Sequence, residues 1–81
     1  MFTIKRERTG RILKATFDHE ISSLESFNKR EEAETNIRSR RRALQDDMPF
    51  NPTFEDGNNE FTMKVESPDY NVQSRFFIEE E

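Results

Sequence analysis

Residues 61–78 read FTMKVESPDYNVQSRFFI, and this stretch decides the fold. Every second residue from Phe61 to Val65 is apolar, and another alternating run follows the turn-forming residues 67–69. Alternation puts one set of side chains on each face of a β-strand, and proline suits the second position of a turn. The stretch therefore predicts an antiparallel hairpin over 61–79 with one buried face.

The first 17 residues predict a second hairpin. Residues 2–7 and 11–17 alternate between apolar and polar side chains, and Gly10 lies between the two runs. A tight hairpin loop requires positive φ, which glycine adopts without steric cost. The pattern therefore predicts a hairpin over 1–17 with its loop at 8–11.

A helix is predicted over 23–45. Ser22 and Glu25 have the spacing of a capping box, and neither glycine nor proline occurs within that range. Four apolar residues fall within a sector about 120° wide at helical spacing. They are Phe27, Ala33, Ile37 and Leu44.

Residues 46–60 are rich in turn-forming residues and predict a connection, with a short strand at 53–55 as an option. The resulting order is ββαββ in a single domain over 1–81. It predicts an α+β fold, an antiparallel sheet of about four strands with one long helix on one face. Such a helix would span about 34 Å and overhang strands of about 20–27 Å.

Charge is divided unevenly along the chain. Residues 1–45 hold 11 basic against 7 acidic residues, whereas residues 46–81 hold 2 against 10, within a net charge of -4. A polarised molecule is suited to electrostatic docking on a charged macromolecule. Apolar residues make up only 31% of the chain, which predicts a thin core.

Several functional classes find no support in the residues. The chain has no cysteine, and its two glycines, Gly10 and Gly57, cannot form a glycine-rich phosphate loop. The neighbours of His19, Asp18 and Glu20, point away from it in an extended segment and cannot converge on a metal. We expect no enzymatic activity, no metal and no cofactor. No stretch reaches the roughly 20 apolar residues of a membrane span, so we expect a cytoplasmic protein without a membrane partner.

The acidic residues of the second half form the first candidate site. Their carboxylates could imitate phosphates and occupy the nucleic-acid-binding groove of a larger protein or nucleoprotein complex. Simple solubility is the alternative explanation. The set comprises Asp46, Asp47, Glu55, Asp56, Glu60, Glu66 and Asp69.

The arginines near the predicted helix end form the second candidate site. They could bind nucleic-acid phosphates or an acidic protein surface, or they could be solvated residues favoured by the helix dipole. The sequence pI of about 5.1 disfavours nucleic acid, because domains that bind it are usually basic. The set comprises Arg38, Arg40, Arg41 and Arg42.

Two apolar residues, Ile12 and Phe77, fall on the polar side of the alternation and form the third candidate site. If adjacent on the outer sheet face, they would make a small patch for homodimerisation or partner docking. Scattered exposed apolar residues are also common, which is the alternative.

The leading hypothesis is a small, non-enzymatic protein-binding module that occludes or modulates a nucleic-acid-handling protein or complex. In size, charge and lack of cysteine, the chain resembles bacteriophage host-takeover and anti-defence proteins. These include anti-CRISPR, anti-restriction and RNA-polymerase-binding factors, and the likeness is one of general character without a shared motif. The alternatives are an RNA- or DNA-binding protein that uses the arginines, and a self-assembling structural protein.

Overall fold

The computed structural model of the chain describes residues 1–12, 15–49 and 51–81, with side chains for all of these except residues 12 and 15–18. Within these ranges, five antiparallel strands form one sheet, and one helix packs on one of its faces. The elements in chain order are β1 (Phe2–Ile12), β2 (Ala15–Phe27), α1 (Arg30–Asp47), β3 (Thr53–Gly57), β4 (Glu60–Ser67) and β5 (Tyr70–Glu80). Their order across the sheet is β2-β1-β5-β4-β3.

The α+β fold with an antiparallel sheet is confirmed, but the sheet has five strands and not four. The element order is ββαβββ, because β3 lies inside the segment 46–60 that was predicted as a connection. Only Phe54 is partly buried in β3, whose other residues are exposed. Pairing with β4 makes this short segment a strand, because its own sequence lacks a strong strand pattern.

The helix begins at Arg30 and not at residue 23, so the prediction of its start is wrong. Residues 22–27 continue β2, where Ser22 pairs with Arg6 and Phe27 pairs with Phe2. The helix cap is Lys29, which makes no side-chain capping bond. A capping box is a signal of four residues, and the cross-strand hydrogen bonds of a long β1–β2 ladder outweigh it.

Gly10 does not form the predicted hairpin loop at 8–11, because β1 runs through it to Ile12. Gly10 lies at an irregularity of the β1–β2 ladder and has a φ of 137°. A Cβ atom there would lie only 2.8 Å from the Cα of Val72 on β5. The glycine is therefore required for close approach of two backbones within the sheet, not for a turn.

The sheet outreaches the helix, which is the reverse of the predicted overhang. β1 has 11 residues and spans about 36 Å, whereas α1 has 18 residues and spans about 27 Å. The Arg30 guanidinium lies 5.9 Å from the centre of the Phe2 ring, and Leu44 lines the same groove as Arg6. The helix therefore ends above the middle of β1, and its last turn points towards the β4–β5 turn.

The core lies between α1 and the sheet. Phe61 and Phe76 stack with ring centroids 4.7 Å apart, and Ile4, Ala33 and Ile37 complete the cluster. The predicted burial of one sheet face is confirmed for its central residues. The buried apolar residues of this sheet face are Ile4, Phe61, Met63, Val65, Val72 and Phe76. Three apolar residues of the alternating run 11–17 cannot be compared in this way, because Leu13 and the side chains of Ala15 and Phe17 lie outside the described residues.

Among the described residues, no helix combines the length and the apolar character that crossing a membrane requires.

Candidate partner-binding surface

Three of the seven acidic candidates are held in ion pairs. Glu55 accepts a hydrogen bond from Lys64 Nζ at 2.7 Å, and Glu60 accepts one from Arg75 at 2.7 Å. Both pairs lie between neighbouring strands of the sheet. Their charges are already balanced, so Glu55 and Glu60 add little to the field that a partner would meet.

Asp56 is the third acidic candidate with a partner. Its two carboxylate oxygens accept hydrogen bonds from Arg41 Nε and Nη2, at 2.9 and 3.2 Å. The side-chain hydrogen bond from Arg41 lowers the pKa of Asp56 below its ordinary value. The Arg41 guanidinium also lies 3.9 Å from the centre of the Phe54 ring, a cation–π contact. This group ties the helix to β3, and its role is structural.

The other four acidic candidates, Asp46, Asp47, Glu66 and Asp69, are exposed. Within residues 1–12, 15–49 and 51–81, their carboxylates make no hydrogen bond or ion pair. Asp46 and Asp47 occupy the last turn of α1, while Glu66 and Asp69 lie at the β4–β5 turn. Since the helix points towards that turn, we call the four residues the acidic end. Arg11 belongs to the same end of the sheet, two strands away from Glu66.

The helix dipole opposes the position of Asp46 and Asp47. The C-terminus of a helix carries partial negative charge, which disfavours carboxylates and favours cations. The last turn of α1 contains no basic residue, although its first turn carries Glu31 and Glu32 as the dipole prefers. Asp46 and Asp47, which are unpaired in the described part of the chain, therefore lie where the helix dipole lowers the stability of the isolated protein.

The four candidate arginines do not form a free basic cluster. Arg40 donates to Glu25 Oε1 at 2.8 Å and to Asn36 Oδ1 at 2.6 Å, and Arg41 is held by Asp56. The other two, Arg38 and Arg42, are exposed one turn apart on the solvent side of α1. These two have no ion-pair partner in the described part of the chain. They line a shallow groove with Thr35 and Ser39.

The register does not bring Ile12 and Phe77 together. Phe77 pairs with Lys5 and Ile12 pairs with Tyr70, so the two lie seven register positions apart, or about 23 Å. Phe77 is partly buried, and the Arg75 guanidinium covers its ring at 4.4 Å. The side chain of Ile12 lies outside the described residues.

Sequence reasoning missed two features, for different reasons. Ile21 is 51% exposed on the edge strand β2, but its segment was placed between a strand and a helix. The second feature is Arg6, which lies on the same face of β1 as Ile4. There it lines a groove together with residues of the helix. The alternation of residues 2–7 already puts this charge on the buried face, and that signal was available.

No group of three or more metal-ligating side chains occurs among the described residues. His19 instead forms a cross-strand pair in which its Nε2 lies 2.7 Å from Glu7 Oε2. That pair belongs to the outer face of the sheet, where Lys5 also contacts Glu79 and Glu81. The two carboxylates raise the pKa of Lys5, and the hydrogen bond with Glu79 is the largest cause. These charged side chains of the outer face are therefore paired with side chains that can carry the opposite charge.

Comparison of the chain with protein-family models, curated proteins and solved structures finds no match.

Proposed function

We propose that this chain is a small, non-enzymatic protein-binding module that docks its acidic end onto a basic surface of a nucleic-acid-handling protein or complex. The observation that carries the proposal is the position of Asp46 and Asp47. They are exposed, unpaired in the described part of the chain, and opposed by the helix dipole. A basic partner would relieve that cost on binding.

Occlusion follows from the chemistry of the acidic end. A groove that binds nucleic acid carries lysine and arginine side chains that neutralise phosphates. Carboxylates on a rigid scaffold can occupy the same groove and exclude the nucleic acid, with long-range attraction raising the association rate. Because these charges are exposed, binding should weaken as ionic strength rises.

The setting we propose is the bacterial cytoplasm, with the chain encoded by a bacteriophage and its partner supplied by the host. The partner class includes CRISPR and restriction nucleases and RNA polymerase. The support is the resemblance in general character together with the acidic end.

The test compares two variants that remove the same number of charges. D46N/D47N/E66Q/D69N neutralises the acidic end, and E20Q/E31Q/E32Q/E80Q neutralises four other exposed carboxylates. Immobilised wild type and both variants are incubated with bacterial lysate, and captured proteins are identified by mass spectrometry. Circular dichroism and urea unfolding establish that each variant folds.

The proposal expects capture of a nucleic-acid-binding protein by the wild type and by the control, and loss of capture by the acidic-end variant. The purified partner should then release labelled nucleic acid when the wild-type chain is added. Capture that is equal for the two variants would overturn the proposal, as would a partner that keeps its nucleic acid.

The alternative of direct nucleic-acid binding now rests on Arg38 and Arg42, which remain unpaired within the described residues. It predicts a mobility shift of DNA or RNA at low salt that R38Q/R42Q abolishes. The self-assembly alternative has no support from the predicted Ile12–Phe77 patch, because the strand register keeps these two residues apart. Light scattering that shows a concentration-dependent dimer would revive it.

A further inference from the structure

A groove lies between the C-terminal half of α1 and the strands β1, β2 and β5. Its volume is about 300 Å³, and it is lined by Arg6, Leu24, Arg40, Ala43, Leu44 and Phe76. This groove is on the helix side of the sheet and includes none of the four residues of the acidic end. Its walls are mostly apolar, with two guanidinium groups among them.

A β-bulge contributes Leu24 to the groove. Ile4 pairs with Glu25 and Lys5 pairs with Ser23, which leaves Leu24 unpaired on β2. A bulge re-aims the side chain of the extra residue. Here it lets Leu24 reach the helix side and face Leu44 across the groove.

The two arginines of the groove differ in their bonding. Arg40 is satisfied by Glu25 and Asn36. Arg6 is partly buried, its Nε atom is buried without a hydrogen-bond partner, and its guanidinium makes no ion pair with any described residue. Buried polar groups nearly always have a partner, either protein or water, so the Arg6 guanidinium retains donors that water or an anionic ligand can satisfy.

A neighbouring pocket provides a contrast. It is lined by Ile37, Phe61 and Arg41 among others, but the Arg41 guanidinium there is already neutralised by Asp56. The groove at Arg6 has more apolar walls than that pocket, which is lined mostly by polar residues, and its Arg6 guanidinium has no carboxylate partner among the described residues. A carboxylate beside Arg6 would give the groove the ion pair that Asp56 gives Arg41 in the other pocket.

We propose that this groove binds a carboxylate carried on a short apolar chain. The carboxylate would contact the Arg6 guanidinium, which matches its planar geometry, and the apolar part would lie against Leu24, Leu44 and Phe76. The volume is at the lower end for small-molecule sites and suits a small ligand with one charge. Two sources carry this chemistry: a free aliphatic or aromatic acid, and the apolar C-terminal residue of a peptide.

The test titrates ¹⁵N-labelled full chain with octanoate and phenylacetate as free acids, and with N-acetyl-leucine and N-acetyl-phenylalanine as C-terminal mimics. Octanamide serves as the uncharged control ligand. We expect amide shifts centred on Arg6, Leu24 and Leu44 with the acids, and binding by octanamide at least tenfold weaker. Tighter binding of the free acids would identify a free acid as the ligand, and tighter binding of the N-acetyl amino acids would identify a peptide C-terminus.

Two variants locate the site. R6M removes the charge but keeps the apolar stem, and it should weaken acid binding at least tenfold without lowering the urea midpoint. R38M makes the same charge change on the exposed side of α1 and should leave binding unchanged. A43F, at an exposed helix position that lines the groove, should block all the acids by filling it.

Three results would overturn the proposal. One is an absence of shifts at millimolar acid, and another is equal loss of affinity in R6M and R38M. The third is equal binding of octanoate and octanamide, which would mean that only the apolar walls bind. None of these results depends on the acidic end, so this test and that of the proposed function fail or succeed separately.

Discussion

Replacing Gly10 with alanine tests the central geometric feature of the sheet. Gly10 has a φ of 137°, and an added Cβ would lie 2.8 Å from Val72 Cα, where only backbone can move aside. Holding a non-glycine residue in this region costs about 1–3 kcal/mol, and forcing the clash costs about another 1–3 kcal/mol. The expected loss is therefore about 2–6 kcal/mol.

That loss is large for a domain of this size. At about 0.05–0.15 kcal/mol per residue, 81 residues give a total stability of about 4–12 kcal/mol. The melting temperature should fall by at least about 8 °C, since each kcal/mol shifts a domain of this length by about 4–8 °C. Urea unfolding followed by circular dichroism measures the first quantity, and a thermal scan measures the second.

Gly57 supplies the matched control. A Cβ there would meet the flexible side chain of Glu60 at 2.9 Å, and that side chain can move aside at the cost of its solvent-exposed ion pair with Arg75, which is worth at most about 1 kcal/mol. We expect Gly57→Ala to stay within about 1 kcal/mol of the wild type. The reasoning is refuted if Gly10→Ala unfolds within 1 kcal/mol of the wild type, or if Gly57→Ala is the more destabilised of the two.

Three further predictions follow from the core, an ion pair and the helix end. Ile37 is only 2% exposed, so Ile37→Ala should cost about 2–5 kcal/mol in urea unfolding and Ile37→Val about 0.5–1.5 kcal/mol; equal costs would contradict the packing. Arg41 lowers the folded-state pKa of Asp56, so this carboxylate stabilises the protein at neutral pH, and the contribution is lost as pH falls through the lowered pKa. The urea midpoint of wild type should exceed that of D56N at pH 7, and the gap should narrow as the pH falls below the ordinary aspartate pKa of 3.8; a constant gap would refute the assignment. Neutralising Asp46 and Asp47 with asparagine should stabilise the protein by about 0.3–1 kcal/mol each, less at high salt, and a loss of stability would show that they have a structural partner.

The boundaries of the helix show where sequence reasoning reaches its limit. The apolar spacing of Ala33 and Ile37 correctly indicated a helix that buries one side, because that spacing reflects the helix's own period. The start at residue 23 was wrong because the capping box at Ser22 is a local signal. Residues 22–27 are strand and not helix because they pair with β1, as Ser22 does with Arg6, which lies 16 positions away in the sequence.

The candidate site shows the same limit for charge. The sequence separates acidic from basic residues along the chain, but an ion pair such as Arg41 with Asp56 forms between groups 15 residues apart. Arg40 is likewise occupied by Glu25 from β2. Counting charged residues along the chain therefore overestimates the free basic charge of the first half and the free acidic charge of the second. Folding brings opposite charges from the two halves together and leaves only some of them uncompensated.

The sequence by itself determined the alternation that makes 61–78 a hairpin, the α+β class, the buried face around Ile37 and the excess of acid in the second half. Each of these depends on composition or on a period of two or 3.6 residues, which neighbours along the chain define. Only the tertiary structure decided that residues 22–27 are strand, that Gly10 serves close packing, and that Arg6 lines a groove with no counterion among the described residues. Those outcomes depend on hydrogen bonds and contacts between segments distant in sequence, whose free energies no local pattern contains.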